Sequence, residues 1–98
     1  MTANKLPPVT PKVKLVDGEL VRAEHVDFTM GGHHYRYPWI PKGEIWIDKR
    51  MTKCDRKATV VHEMREYALM RAGMSYNAAH EAANVVERAY RRETCKRG

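Results

Sequence analysis

The residues best suited to chemistry in this chain form the pattern H-E-x-x-E at positions 62–66, followed by a histidine at position 80. His62, Glu66 and His80 offer two imidazoles and one carboxylate, a donor set that binds Zn²⁺ and leaves one coordination position open for water. Glu63 is a spare carboxylate that can take a proton from that water. The pattern therefore indicates a hydrolytic zinc site with His62, Glu66 and His80 as ligands and Glu63 as the catalytic base.

Two helices are expected to carry these residues, because apolar positions recur at helical spacing on both sides of Gly73-Met74. The first helix is predicted over 55–72, ending at Gly73, and the second over 76–94. The candidate N-caps are Thr52 or Asp55 for the first helix and Ser75 for the second. A link this short makes the helices antiparallel neighbours, which predicts a helical hairpin over 52–94.

The geometry of this hairpin predicts that the three ligands meet at one ion. His62 and Glu66 lie about one turn apart on the first helix, and therefore on the same face. Glu66 is seven residues before Gly73, and His80 is six residues after Met74. At 1.5 Å per residue, each lies roughly 10 Å from the turn, so His80 reaches the depth of Glu66 on the neighbouring helix.

Glu87 is the next acidic residue on the same stripe of the second helix. It lies about two turns beyond His80, near the depth of His62. We expect it to orient His62 through a hydrogen bond, because ligating histidines usually donate their second ring nitrogen to such a group. A direct role as metal ligand is the alternative for Glu87.

The other histidines and the cysteines carry weaker signals. The adjacent pair His33-His34 follows two glycines and could line the cleft beside the metal site. The favoured interpretation of His25, His33 and His34 is that all three are exposed loop residues. Cys54 and Cys95 lie at the same end of the hairpin, so a disulfide is geometrically feasible. In a reducing cytosol two free thiols are favoured.

The segment before the helices is predicted to be rich in strands. Residues 1–11 hold three prolines and few large apolar side chains, which is typical of a flexible leader. The turn and strand signals that follow predict these elements: strands at 13–16 and 33–37, a turn at Gly31-Gly32, and a strand or irregular segment over 19–28.

Residues 44–48 form the clearest strand, with Ile45 and Ile47 on one face and Trp46 on the other. We therefore expect an α+β fold, in which a small antiparallel sheet of about three strands precedes the antiparallel two-helix hairpin. The expected bounds are a strand-rich part at 12–50 and the hairpin at 52–94, within one domain at 12–98.

Composition narrows the function classes. The 98 residues suit one domain, and the net charge is +6. A basic cluster lies near the C-terminus and consists of Arg88, Arg91, Arg92, Lys96 and Arg97. The favoured interpretation of this cluster is a solvated helix end, and the alternative is weak contact with nucleic acid. The chain has no C-x-x-C pair, no apolar run near the roughly 20 residues of a membrane span, and no hydrophobic signal segment. These features predict a cytoplasmic protein of a bacterium or phage with no membrane partner.

Residues 60–92 resemble the catalytic helix hairpin of zincin-type metallopeptidases, in particular the gluzincin arrangement and its small phage-encoded relatives. The resemblance implies that His62 binds zinc and that Glu63 activates water. The family pattern is H-E-x-x-H with a distal glutamate, and this sequence departs from it at two positions. Glu66 replaces the second histidine, and His80 replaces the distal glutamate. The inventory of two histidines and one carboxylate is kept with positions exchanged.

The same resemblance implies a function and a substrate edge. The strand before the H-E helix pairs with an extended substrate in that family, which makes Ile45, Trp46 and Ile47 the expected docking edge. The function favoured is a zinc-dependent hydrolase, above all a peptidase acting on a peptide or protein. The alternatives are a non-catalytic metal-binding structural or interaction domain of phage origin and a basic nucleic-acid-binding adaptor.

Overall fold

The order of elements agrees with the α+β class predicted from the sequence. The computed structural model describes residues 6–95, so the first five residues of the expected leader lie outside it, as do Lys96 and Arg97 of the basic cluster. The elements are β1 (Lys12–Val16), α1 (Gly18–Glu24), β2 (Gly31–His33), β3 (Glu44–Asp48), α2 (Lys53–Arg71) and α3 (Tyr76–Thr94). Across residues 6–95, no helix has both the length and the apolar character needed to cross a bilayer.

The three strands form a mixed sheet in the order β1-β3-β2. β1 runs parallel to β3, with Val13 opposite Ile45, whereas β2 runs antiparallel to β3, with His33 opposite Ile45. The expectation of an antiparallel sheet is therefore wrong for β1. Alternation of apolar residues reports which face of a strand is buried, but it does not report the direction of the neighbouring strand.

The central position of β3 also corrects the expected substrate edge. Both edges of β3 are hydrogen-bonded, to β1 on one side and β2 on the other. Ile45 and Ile47 are fully buried. Neither they nor Trp46 can therefore offer a free strand edge to a substrate, because β-augmentation needs unpaired backbone groups.

A short helix, α1, occupies the segment for which a strand or irregular structure was expected. Asp17 caps it, since its carboxylate accepts hydrogen bonds from the backbone N–H of Glu19 (3.0 Å) and Leu20 (3.4 Å). Gly18 is the one buried residue of the seven, and Leu20 is exposed. A helix with so small a buried face shows no clear apolar period, which is why the sequence pattern did not predict it.

Gly31 and Gly32 belong to β2 and not to the predicted turn. A Cβ atom at Gly32 would lie 2.4 Å from two ring carbons of Tyr37, and one at Gly31 would lie 2.9 Å from the Thr59 side chain. The glycines therefore allow close packing of β2 against its neighbours. The predicted strand at 33–37 contributes only its first residue, His33.

The sheet packs on α2 through Ile45 and Ile47, which contact the buried ring of Tyr67. A second apolar cluster, Phe28, Tyr37 and Ile40, lies among the loops. Because both isoleucines project from the central strand, the first cluster fixes the height of α2 over the sheet.

The helices α2 and α3 form the predicted hairpin. α2 starts after Thr52, whose hydroxyl accepts from Asp55 N–H, and α3 starts after Ser75, as expected. Gly73 has a φ of +108°, a conformation that favours glycine at a helix end. Ala79 and Ala83 are completely buried, and such small side chains let the helix axes approach closely.

The cysteines form a disulfide, so the expectation of free thiols is wrong. Cys54 near the start of α2 and Cys95 at the end of α3 are bonded, with their Cα atoms 5.7 Å apart. The antiparallel hairpin brings these two ends together, as its geometry predicted. The free-thiol expectation assumed a reducing cytosol, in which disulfides are rare, and no residue pattern tests that assumption.

The described part of the expected leader is docked on α2. The Tyr67 hydroxyl donates to the carbonyl of Pro8 (2.7 Å), and Arg71 Nε donates to that of Pro7 (2.8 Å). The side chains of Pro7 and Pro11 are buried. Residues 7–11 are therefore part of the folded unit, which corrects the boundary predicted at residue 11.

Asp48 ties the end of β3 to α1 and to the loop before α2. Its buried carboxylate accepts from the backbone N–H of Gly18 (3.3 Å) and Arg50 (3.0 Å), and from Arg22 Nη2 (3.2 Å). Burial alone raises the pKa of Asp48, but these donors and the Arg22 charge outweigh burial and hold the pKa below its usual value.

We expect Asp48→Asn to lower the free energy of unfolding at pH 7 by about 1.5–3 kcal/mol, the scale of hydrogen bonds to a charged group. Because the pKa of Asp48 is lowered on folding, its contribution is complete above the unfolded pKa of about 3.9 and is lost as the pH falls through the folded value. Urea unfolding at pH 7, 5 and 3 should show the variant and the wild type converging at low pH. Asp27→Asn, at an exposed acid, is the control; a constant gap at all three pH values would contradict the assignment.

Candidate metal centre

Glu66 is buried among three imidazoles, of which His33 and His62 are buried and His80 is partly exposed. Its Oε1 is 2.7 Å from His33 Nε2, and its Oε2 is 2.8 Å from His80 Nδ1 and 3.3 Å from His62 Nε2. His62 and Glu66 come from α2, His80 from α3 and His33 from β2. The carboxylate is 2 % exposed, so its charge depends on these three partners.

The structure brings together the three residues predicted as ligands. One donor atom each from His62, Glu66 and His80 can be chosen so that all three lie within 4.8 Å of one another. Ligands of a tetrahedral zinc ion, each about 2.1 Å from the metal, lie about 3.4 Å apart. The distances of 2.8 and 3.3 Å to Glu66 Oε2 need only small adjustment to admit an ion. The donor set therefore fits zinc, and the ion itself stays a prediction.

Glu87 holds His62 in the orientation that ligation requires. Its Oε1 accepts from His62 Nδ1 at 2.9 Å, and its Oε2 accepts from Arg91 Nε at 2.9 Å. Arg91 also donates to Asp55 at 2.7 Å, which connects α3 back to the start of α2. With both oxygens engaged, Glu87 occupies the orienting position expected from the sequence, and His62 Nε2 points to Glu66.

His33 is the site residue that the sequence interpretation placed wrongly. We expected an exposed loop histidine, but its side chain is 0 % exposed and contacts Glu66 from the end of β2. The only signal was the His33-His34 pair after two glycines, for which lining the cleft was the less favoured interpretation. His33 is not in the wall of the cavity described below; β2 carries it beneath α2, where it contacts Glu66.

His34 and His25 are half-buried and contact groups other than Glu66. His34 Nδ1 accepts from the backbone N–H of Gly43 at 3.4 Å, and burial together with the charges of His33 and Lys42 lowers the pKa of His34. His25 stacks on Trp39 with ring centroids 3.8 Å apart. Neither residue belongs to a group of potential metal ligands among residues 6–95.

Glu63 lies beside the cluster in an unusual state. Within the described part of the chain its Oε1 is buried and has no hydrogen-bond partner, and it lies 3.8 Å from His33 Nε2. Burial raises the pKa of Glu63 to about 8; the charges of Glu66 and Glu87 add to the rise, and that of His62 opposes it. A cation nearby would favour the ionised carboxylate, so this environment fits a metal neighbour.

The other acid of the motif shows the opposite shift. Burial alone would raise the pKa of Glu66, but hydrogen bonds from His33, His62 and His80 outweigh it and hold the pKa well below its usual range. Burial lowers the pKa of His62, yet its bond to Glu66 and the charges of the nearby carboxylates raise it overall. Where His62 is protonated, a metal ion must displace that proton, so the affinity for the ion decreases as the pH is lowered.

A cavity of about 140 Å³ lies against this cluster. Its walls are formed by Thr29, Gly31, Gly32, Arg36, Tyr37, His62, Glu63, Glu66, Tyr76 and His80. The Tyr76 hydroxyl is 3.4 Å from His80 Nδ1, and a hydrogen bond to Tyr76 raises the pKa of Arg36. The cavity therefore combines potential metal ligands, a carboxyl group, a guanidinium and a phenol.

No protein-family model, curated protein or solved structure matches this chain. The zincin-like resemblance therefore stays a prediction. The chemistry of the site rests on the geometry of its own residues.

We expect Glu87→Ala to weaken zinc binding about 10- to 100-fold, because His62 loses the acceptor that orients it. Competition with a fluorescent zinc chelator measures the affinity. Glu81→Ala, at an exposed glutamate of the same helix, is the matched control and should bind as the wild type does. Equal affinities for Glu87→Ala and the wild type would show that Glu87 serves only the contact with Arg91.

Proposed function

We propose that this protein is a zinc-dependent hydrolase that cleaves peptides, with His62, Glu66 and His80 as the metal ligands. The observation that carries the proposal is the convergence of the His62 and His80 imidazoles on Glu66 Oε2, at the wall of a cavity that Glu63 also lines. An ion bound there would polarise a substrate carbonyl and lower the pKa of a water molecule.

Glu63 is the proposed general base and, later, the general acid. A base is most effective when its pKa lies near the working pH. Burial supplies this by raising the pKa of Glu63 to about 8, and a cation beside it would bring the value down towards neutrality. Glu63 then takes a proton from water and returns it to the leaving amine of the peptide.

Tyr76 is the proposed donor to the oxyanion. Tyr35 and Tyr67 are not in the cavity wall, and the Tyr37 hydroxyl already donates to the carbonyl of Asp27 at 3.0 Å. The Tyr76 hydroxyl faces His80, and Arg36 lies over its ring with 5.0 Å between the guanidinium carbon and the ring centroid. A phenol backed by a cation is suited to stabilise negative charge on oxygen.

The size of the cavity limits what enters it. Sites for drug-sized ligands are roughly 300–1,000 Å³, and this cavity is about 140 Å³. Only the scissile peptide unit and its nearest atoms would fit, with the remainder of the substrate outside. The proposed substrate is therefore an extended tail or exposed loop of a protein.

The small cavity also favours a second candidate function, a non-catalytic domain in which the metal stabilises the fold. In that case the ion would join α2 and α3 through His62, Glu66 and His80, and Glu63 would have no chemical task. The two functions differ in what the Glu63 side chain does when the metal is present.

The metal part of the proposal predicts the effect of removing a ligand. In chelator-treated protein given one equivalent of Zn²⁺, His62→Ala and His80→Ala should each weaken affinity at least about 100-fold, since each removes one of three protein ligands. His25→Ala, at the histidine stacked on Trp39, should leave affinity unchanged. Wild-type protein that binds no zinc at micromolar concentrations would overturn both candidate functions.

The catalytic part predicts the effect of Glu63→Gln. With one equivalent of Zn²⁺ and fluorescently labelled casein as the probe, we expect the rate of cleavage to fall about 10²- to 10⁴-fold, the range for loss of a general base. Glu81→Gln is the matched control and should cleave at the wild-type rate. Zinc-loaded wild type that cleaves no faster than Glu63→Gln would exclude this role and favour the non-catalytic domain.

A further inference from the structure

A second group of potential metal ligands overlaps the first. One donor atom each from His33, Glu63 and Glu66 can be chosen so that all lie within 4.8 Å of one another, and all three residues are buried. The two groups found in residues 6–95 have Glu66 in common. The first group is the centre of the proposed function, in which His33 is a hydrogen-bond partner of Glu66 and not a metal ligand.

The two oxygens of Glu66 divide between the two groups. Oε1 faces His33 at 2.7 Å, and Oε2 faces His80 at 2.8 Å and His62 at 3.3 Å. Donors of one zinc ion lie at most about 4.2 Å apart, twice the bond length. His33 does not join the group of His62 and His80 even at a limit of 4.8 Å. One ion therefore cannot use all three imidazoles, but two ions bridged by Glu66 can.

Glu63 gives an independent reason for a second cation. Its Oε1 is enclosed and, as far as residues 6–95 show, lacks a hydrogen-bond partner, although it lies only 3.8 Å from His33 Nε2. A buried carboxylate without a donor or a cation is unfavourable. An ion on His33, Glu63 and Glu66 would supply the missing partner from within the cluster.

We infer that the centre holds two divalent ions bridged by Glu66, the second bound by His33 Nε2, Glu63 Oε1 and Glu66 Oε1. The inference rests on the proposed metal centre and changes one role within it. With a second ion present, Glu63 would be a ligand instead of the general base, and the ions would activate the water. Two ions about 3.5–4 Å apart can act on both the attacking and the leaving group of a hydrolysis. One imidazole and two carboxylates suit Zn²⁺, Co²⁺ or Mn²⁺.

The competing account is a second position that no ion occupies, with Glu63 simply protonated in its apolar surroundings. Both accounts leave the first site unchanged and both predict a damaged enzyme when Glu63 is replaced. Activity alone therefore does not separate them, whereas the number of ions bound per chain does.

The experiment counts ions in the full chain. Chelator-treated protein is equilibrated with Zn²⁺ at millimolar free concentration, passed through a desalting column equilibrated with Zn²⁺, and analysed for metal in excess of the column buffer. We expect about two ions per chain for the wild type and about one for His33→Ala and for Glu63→Gln. His34→Ala is the matched control. The His34 imidazole is adjacent to His33 in sequence but contacts Gly43 and Tyr35, so this variant should keep both ions.

Electron paramagnetic resonance of the Mn²⁺-loaded protein gives a second readout. Two Mn²⁺ ions that share a carboxylate are magnetically coupled, and we expect this coupled signal in the wild type and in His34→Ala. It should be absent from Glu63→Gln, a variant of nearly the same shape whose folding is checked by circular dichroism. Glu63→Gln therefore tests the inference even if His33→Ala fails to fold.

The outcomes separate this inference from the proposed function. A wild type that binds about one ion, lost in His80→Ala and kept in His33→Ala, overturns the second site and leaves the first intact. A wild type that binds no ion overturns both. Two ions in Glu63→Gln, with the coupled signal retained, would also overturn the inference, because Glu63 would then not be a ligand.

Discussion

The buried carboxylate of Glu66 is the constraint around which the rest of the structure is arranged. A carboxylate enclosed by protein must be paired with donors or cations, because the interior solvates charge poorly. Glu66 obtains its partners from three elements: His62 from its own helix, His80 from α3 and His33 from β2. These contacts couple the sheet to both helices at one point.

The surrounding residues make this meeting sterically feasible. Ala79 and Ala83 are completely buried, which lets α3 approach α2 at the level of His80. Gly31 and Gly32 do the same for β2, since a side chain at either position would collide with Thr59 or Tyr37. A chain of 98 residues has a small core, and placing charged groups within it limits the apolar contacts available for stability. Neighbouring acids with opposite pKa shifts, such as Glu63 and Glu66, are typical of sites that perform chemistry.

The accuracy of the sequence predictions differed between local and non-local features. Residues 44–48 form a strand and 76–94 a helix with the predicted bounds, and α2 begins two residues earlier than expected and ends one residue earlier. The strand and α3 have clear apolar periodicity. α2 is less amphipathic, and its start was predicted approximately from the N-cap Thr52. α1 was not predicted because little of its surface is buried. The parallel pairing of β1 was not predicted because the alternation of apolar residues along a strand does not depend on the direction of the neighbouring strand.

The sequence by itself determined the hairpin and therefore the juxtaposition of His62, Glu66 and His80. The helical repeat and a short link, residues 72–75, set these positions through local geometry, so counting residues from Gly73 was sufficient. Only the tertiary structure decided that His33 faces Glu66 and that β3 is the central strand. Both features depend on hydrogen bonds between segments that are distant in the chain. Gly31 and Gly32 have no side chains, so this part of β2 shows no alternation from which the burial of His33 could be predicted.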